Sequence, residues 1–415
     1  MSFFSGFTNI FSGAKRAVNY VVGADVQKIE ENGVTDDPSR ISTVFTCHSR
    51  LSEHFSRMPI LIKKEEGSAD VEDRNHRLFY LLRYAPNPLQ NAQQFWSTIE
   101  YHRNQYGNGY AQVFRDKNSS YPTEIKIIHP LQIIEARIVK NGIIYKIQKE
   151  NDSRSYTVHS NNILHFRGLS EDGLFGLSPL IALQKETRIN ERASSTIDNF
   201  YKNNATSPMA LESELPGQLS GPAAKMIKEG KDEFKSNFTG PQNAGKIIHL
   251  PPHTKITKLA MQFADAQLLG TLKYTREEIA AAYGVPMYMI DGSAEKLDIE
   301  QMTLNFATNT MGPIAKIYKS EIERKLLTKK EIINGTHIEF DSSVLLEMDY
   351  TKKVRAVKEQ VVNGLLTPEE GAKRLGNRPV SSKWAQYHYV QAQYIPLELY
   401  EQYNPLLKDK SKIKE

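Results

Sequence analysis

The hydrophobic period of this chain changes twice, and those changes constrain the fold more than any other feature. From residue 39 to 106 apolar residues recur at helical spacing. In SRISTVFTCHSRLSEHFSRMP, the residues Ile41, Val44, Phe45, His48, Leu51 and Phe55 share one face, and Pro59 ends the run before an Ile60-Leu61-Ile62 strand. HRLFYLLRY and NAQQFWSTIEYHRNQY read as two more helices broken by PNPLQ, the second with Phe95, Ile99 and His102 in phase. At Gly107 and Gly109 the period drops to two. YAQVF alternates, and EIKIIHP, QIIEARIV, IIYKIQKE and NILHFRGL follow as strands with Gly or Pro turns. Ser178-Pro179, an N-cap and first-turn pair, returns the chain to helix over 179–203. A β-rich module set among helices gives fold class α+β.

The long helix carries a thin apolar stripe, Ile189, Ala193, Ile197 and Phe200, among Lys185, Glu186, Arg188, Glu191, Arg192 and Asp198. Such a helix forms one wall of a multi-helix assembly. Residues 204–262 form a module of their own. MALES is strand-like, Ser220-Gly221-Pro222 opens a polar helix carrying Lys225, Lys228, Lys231 and Lys235, and KIIHLPPHTKITKL returns as strands. A second long helix ends at Gly284, VPMYMIDGSAEKLD is a loop, and a helix over 299–327 contains Pro313, which should kink it. THIEFDSSVLL is a strand, residues 350–405 are helical with a start signal at Thr367-Pro368-Glu369-Glu370, and 406–415 form a charged tail.

Composition bounds the rest. At about 150 residues per domain, 415 residues make two or three domains. A 40% apolar share excludes wholesale disorder. The net charge of +5 is far short of a broad cationic grip on nucleic acid. One cysteine, Cys47, excludes a disulfide framework and cysteine zinc sites, and on an apolar helix face it reads as a small core residue. No apolar run is long enough to span a bilayer. Phe4, Phe7, Ile10 and Phe11 precede Lys15 and Arg16 in an amphipathic segment over 1–24, which fits a helix docked on a neighbouring subunit or on a membrane surface.

Catalytic signatures are missing. GPQNAGKI at 240–247 fails as a phosphate loop because Ile247 stands where a hydroxyl must hold Mg²⁺, and because it leaves a helix to enter a strand. No HExxH, GxSxG or GxGxxG occurs, and the 11 histidines are scattered. Asp341, Glu347 and Asp349 lie near strand ends, where acids usually solubilise turns. No catalytic residue, metal site or cofactor is assigned.

Several stretches, in order, resemble the bacteriophage portal proteins, the head-to-tail connectors of tailed double-stranded DNA phages. They are the Cys47 helix ending in Arg57-Met58-Pro59-Ile60; Pro86-Asn87-Pro88 before Phe95-Trp96; Gly107-Asn108-Gly109-Tyr110-Ala111; and Ile163-Leu164-His165-Phe166. Then follow Gly173 to Pro179, Asn203 to Pro208, Glu278-Ile279-Ala280, Tyr283-Gly284-Val285-Pro286, the helix ending at Leu326, and Gly364-Leu365-Leu366-Thr367. The resemblance covers most of residues 40–380.

It implies an elongated subunit with an α/β wing (25–178), stem helices (179–203 and 263–284) around a small αβ clip (204–262), and a tunnel loop (285–298). A kinked wing helix and strand (299–349) and a helical crown (350–405) complete it. It further implies a non-enzymatic, dodecameric ring at one capsid vertex, assembled in the host cytoplasm and carried in the virion. Its partners would be double-stranded DNA in the channel, the large terminase subunit, a head–tail adaptor and the major capsid protein, with no membrane. Asp291, Gly292, Ser293, Ala294, Glu295 and Lys296 become tunnel-loop candidates, and the four clip lysines a docking face for the motor or adaptor, or an ordinary solvated face. A packaging-associated enzyme and a peripheral membrane protein are the competing readings.

Overall fold

A computed structural model describes residues 19–20, 41–67, 69–116, 121–149, 154–202, 209–213, 254–258, 265–292, 299–346, 350–378 and 382–388. The amphipathic segment before residue 19, the four lysines at 225–235, Ser293 to Lys296 and the charged tail lie outside the described residues. The chain divides into two compact units, Met1–Leu345 and Leu346–Glu415.

In the first unit β1 (Asn19–Tyr20) precedes α1 (Ser42–Arg57). Helix α1 buries Val44, Cys47, His48, Leu51 and Phe55, which recur every three or four residues along one face. Phe45 departs from the expected face and is 60% exposed, because Val44 and Cys47 already set the stripe and Phe45 stands about 100° round the helix from Val44. Burial pushes the Cys47 thiol up to about 12, as befits a core residue. Pro59 stops α1, and β2 (Ile60–Glu66) and β3 (Ala69–Glu72) follow. Next come α2 (Leu78–Arg83), α3 (Ala92–Tyr106), β4 (Asn108–Arg115), β5 (Pro122–Ile128), β6 (Ile133–Val139), β7 (Gly142–Gln148), β8 (Ser155–His159) and β9 (Ile163–Arg167). A helical turn, α4 (Pro179–Ala182), leads to α5 (Gln184–Lys202), the short pair β10 (Met209–Ser213) and β11 (Thr254–Lys258), and α6 (Asp265–Tyr283). The unit closes with α7 (Tyr288–Asp291), α8 (Ile299–Phe306), α9 (Gly312–Leu326), α10 (Lys329–Ile333) and β12 (Thr336–Phe340).

The strands form antiparallel sheets ordered β12-β2-β3, β5-β4-β9 and β1-β6-β7-β8, besides the β10-β11 pair. Phe55, Trp96, Phe166, Tyr318 and Phe340 form one aromatic core, with Phe166 stacked on Tyr318 at 4.1 Å. A second core gathers Tyr110, Ile128, Ile133, Ala136, Tyr145, Ile147 and Ile163.

Helix α9 closes two sheet edges with carboxylates. The backbone N–H of His165 donates to Glu321 Oε1 at 3.1 Å, and that of Ile338 to Glu323 Oε1 at 2.8 Å. Edge donors that would otherwise be open are thereby satisfied. Ahead of Pro313, where a kink is expected, the helix widens to a π-helical stretch at Ala307–Met311 between α8 and α9. Proline at 313 offers no N–H and crowds the carbonyl four residues back, and a wider turn upstream relieves both problems.

In the second unit α11 (Tyr350–Val362) and α12 (Pro368–Arg374) are joined through Thr367, whose hydroxyl accepts from the Glu370 N–H at 3.2 Å in a capping box. Of the helical end expected over 350–405, these two helices and a short turn at Lys383–Gln386 lie among the described residues.

Candidate functional site

The chain leaves the sheets for α5 at a crossing of two backbones. Gly107, with φ +74, turns α3 directly into β4. A Cβ on Gly107 would stand 2.4 Å from the Leu177 carbonyl carbon, and one on Gly176 would stand 2.0 Å from the Gly107 oxygen. Only glycines permit that approach. Asn108 stitches the crossing: its Nδ2 donates to Gly176 O at 2.7 Å and its Oδ1 accepts from Gly176 N–H at 2.8 Å. The same Oδ1 faces His165 Nε2 at 2.8 Å, so Nε2 carries the proton and Nδ1 accepts from Tyr145 Oη at 3.1 Å. Burial, then Arg167, Lys325 and Arg324, hold His165 well below its ordinary pKa, so it is a neutral link and not a pH switch. Ser178 Oγ ties down the next turn by donating to Gln105 O.

Below the crossing a buried carboxylate anchors α9 to α3. Glu100 accepts from Arg103 at 2.6 and 2.8 Å, Asn104 at 3.0 Å and Tyr318 Oη at 2.8 Å. Burial opposes the charge on Arg103, but the Glu100 carboxylate outweighs it and holds the guanidinium above its ordinary pKa. Glu321 accepts from Arg324 at 3.0 Å, while Lys325 donates to Ser160 O and burial lowers it to about 8.

Helices α5 and α6 pack as a pair. Of the stripe expected on α5, Ala193 is buried, Ile189 and Ile197 are half-buried, and the Phe200 side chain lies outside the described residues. The pair closes on a face that shares Ala193 with the stripe and adds polar residues: Thr187, Asn190 and Ala193 are buried on α5, with Leu183 just before it, and Leu272, Thr275 and Ile279 on α6. Polar residues can line it because each is satisfied. Asn190 Nδ2 donates to Thr275 Oγ1 at 2.9 Å, Thr275 Oγ1 to Leu272 O at 3.0 Å, and Thr187 Oγ1 to Leu183 O at 2.9 Å.

At its far end α6 meets α1 and the π-helical stretch. Tyr283 Oη lies 2.9 Å from His48 Nε2. Gly284, with φ +65, ends the helix, and Thr310 Oγ1 donates to its carbonyl at 2.8 Å. The widened turn therefore has a use: it brings Thr310 to the end of α6. The segment expected to be loop over 285–298 contains the helical turn α7, because Pro286 fixes φ and its carbonyl accepts from Met289 N–H at 3.0 Å. Arg50 Nε donates to Met289 O at 3.3 Å. Asp291 and Gly292 are exposed, and Gly292, with φ +70, ends the turn. Pro313 sits in the first turn of α9.

Sequence reading missed Asn108 as a stitch, His165 as a link, and Thr187, Asn190 and Thr310 as contacts. An asparagine between two glycines was the one visible signal. Asp341 Oδ1 accepts from Ser343 N–H at 3.0 Å, which is turn chemistry, and Glu347 and Asp349 lie outside the described residues. Among the described residues Glu65, Asp70 and His337 bring ligand-type atoms within 4.8 Å of one another, with Glu65 and Asp70 exposed to solvent. No described helix is long and apolar enough to cross a membrane.

Three comparisons bear on this arrangement. Residues 42–376 match the phage portal protein family. The portal protein of Enterobacteria phage HK97 is 26% identical over 391 residues, which is 90% of this chain and 89% of that protein. Among solved structures, a chain from the neck of a native gene transfer agent particle, computed with C12 symmetry, aligns with TM-score 0.57 at 18% identity over 89% of this chain and 97% of that one. An HK97-family portal protein from Corynebacterium diphtheriae aligns with TM-score 0.55 at 14% identity over 75% of this chain and 96% of that one.

Proposed function

The chain belongs to the phage portal protein family, a structural and not an enzymatic one, and on that premise we propose that it assembles into a ring of about a dozen copies at one capsid vertex. The ring is the conduit for double-stranded DNA during packaging and ejection. Residues 25–178 form its wing, α5 and α6 its stem, 204–262 its clip and 350–405 its crown. The turn α7 and the loop after it, Asp291 to Lys296, face the channel. A conduit must let DNA slide, and each lysine–phosphate contact adds grip, so exposed acid and glycine at 291 and 292 suit that place. The large terminase subunit and the head–tail adaptor dock on the clip, where Lys225, Lys228, Lys231 and Lys235 supply charge. The major capsid protein surrounds the ring, which forms in the host cytoplasm.

One observation carries this reading: the family match runs from α1 through α12, and within it two packed helices bracket a small module and end at a turn held by Arg50 and Thr310. Native mass spectrometry with negative-stain class averages of the purified chain tests it. Closed rings with a central hole are expected. A compact dimer that hydrolyses ATP would return the enzyme reading.

A further inference from the structure

An open groove of about 390 Å³ runs between the β5-β4-β9 and β6-β7-β8 strands, lined by Gln112, Lys126, Ile127, Gln132 and Lys149, with Phe114 and Tyr156 at its sides. Among the described residues its lining contains no aspartate or glutamate. Two of the three lining glutamines, Gln112 and Gln132, have their side-chain oxygens engaged within the protein. The His129 N–H donates to Gln132 Oε1 at 3.0 Å, and Tyr156 Oη donates to Gln112 Oε1 at 3.0 Å. Each keeps an amide NH2, a donor group, and the lining adds two lysines. Lys126, itself exposed, pairs with the half-buried Glu124 carboxylate at 3.2 Å. The groove therefore presents donors and positive charge.

It also presents backbone. Strand β5 is an edge strand. At Ile125 the outward edge is closed, since its N–H donates to Pro86 O at 2.8 Å and its C=O accepts from Asn87 Nδ2 at 3.0 Å. Two residues on, the alternation of an antiparallel ladder turns the Ile127 N–H and C=O to the same outward side, at the groove.

We propose that this groove binds an extended acidic segment of another protein, which pairs with the β5 edge at Ile127 and sets its carboxylates against Lys126, Lys149 and the glutamine amides. Lysines on an edge strand repel a basic or lysine-edged strand and attract an acidic one, so the same charges select the partner. Single-stranded nucleic acid fits less well, because the Lys126 ammonium already covers the Phe114 ring at 5.3 Å and occupies the face on which a base would stack.

The test uses the full chain and a fluorescein-labelled EVEVEVE peptide followed by anisotropy at low and high salt, beside KVKVKVK and oligothymidylate of similar length. EVEVEVE should bind, more weakly at high salt, and KVKVKVK should not. Lys126→Glu with Lys149→Glu should weaken binding by about tenfold or more, and so should Ile127→Pro, which removes an outward N–H that an edge strand can spare. Both variants should keep the parent circular dichroism, and the charge reversal alone decides if the proline variant does not fold. Failure of EVEVEVE to bind, equal binding to the charge-reversed variant, or binding of oligothymidylate in its place would overturn the proposal.

Discussion

The crossing at Gly107 and the α5–α6 pair hold the chain together by opposite means. At the crossing, bonds link segments distant in sequence: Asn108 to Gly176, His165 to Tyr145, Glu100 to Tyr318. The last two are buried and the first partly so, and the aromatic core lies against them. In the α5–α6 pair the contact is one helix face deep, is bridged by Asn190 and Thr275, and leaves Ile189 and Ile197 half-buried and Tyr274 60% exposed. The first arrangement is complete within one chain. The second leaves apolar side chains in reach of solvent, which the ring we propose would cover.

The comparison can be broken at the crossing first. Gly176→Ala puts a methyl 2.0 Å from a backbone oxygen that has nowhere to move, and should cost about 4 kcal/mol or more, read as lost soluble yield or collapse of the unfolding midpoint. Glu100→Ala leaves Arg103 buried without its carboxylate and should cost about 3–5 kcal/mol in denaturant unfolding. Asn190→Ala removes one hydrogen bond from the helix pair and should cost only about 1 kcal/mol by the same measurement. Ile189→Asp with Ile197→Asp sharpens the contrast most. Monomer stability should move by about 1 kcal/mol or less. Ring formation by native mass spectrometry should fail, and normal rings would remove those residues from the subunit contact. Smallest of all in stability, Asp291→Lys should leave unfolding within about 0.5 kcal/mol while slowing DNA passage in a packaging assay.

Much of the first region was legible in the sequence. The switch of period at Gly107 marks the turn from α3 to β4, and Pro59, Ser178-Pro179 and Thr367-Pro368 mark element ends where they occur. What stayed hidden was polar. Thr187 and Asn190 lie outside the apolar stripe that the sequence shows, and only a partner on another helix, Thr275, makes Asn190 a core residue. The π-helical stretch was hidden for a similar reason. Pro313 announces a bend, but the use of that bend, Thr310 gripping Gly284, depends on a residue 26 positions away. The turn α7 was read as loop because its four residues show no helical period of their own and rest on Pro286 and Arg50.

Hydrogen exchange on the full chain, monomer against ring, tests the central claim most directly. Amides of α3 and α9 should be strongly protected in both states. Those of α5 and α6 should exchange quickly in the monomer and become protected in the ring. Equal, unchanging protection of α5 and α6 in the two states would contradict the claim that the helix pair is completed by neighbouring copies.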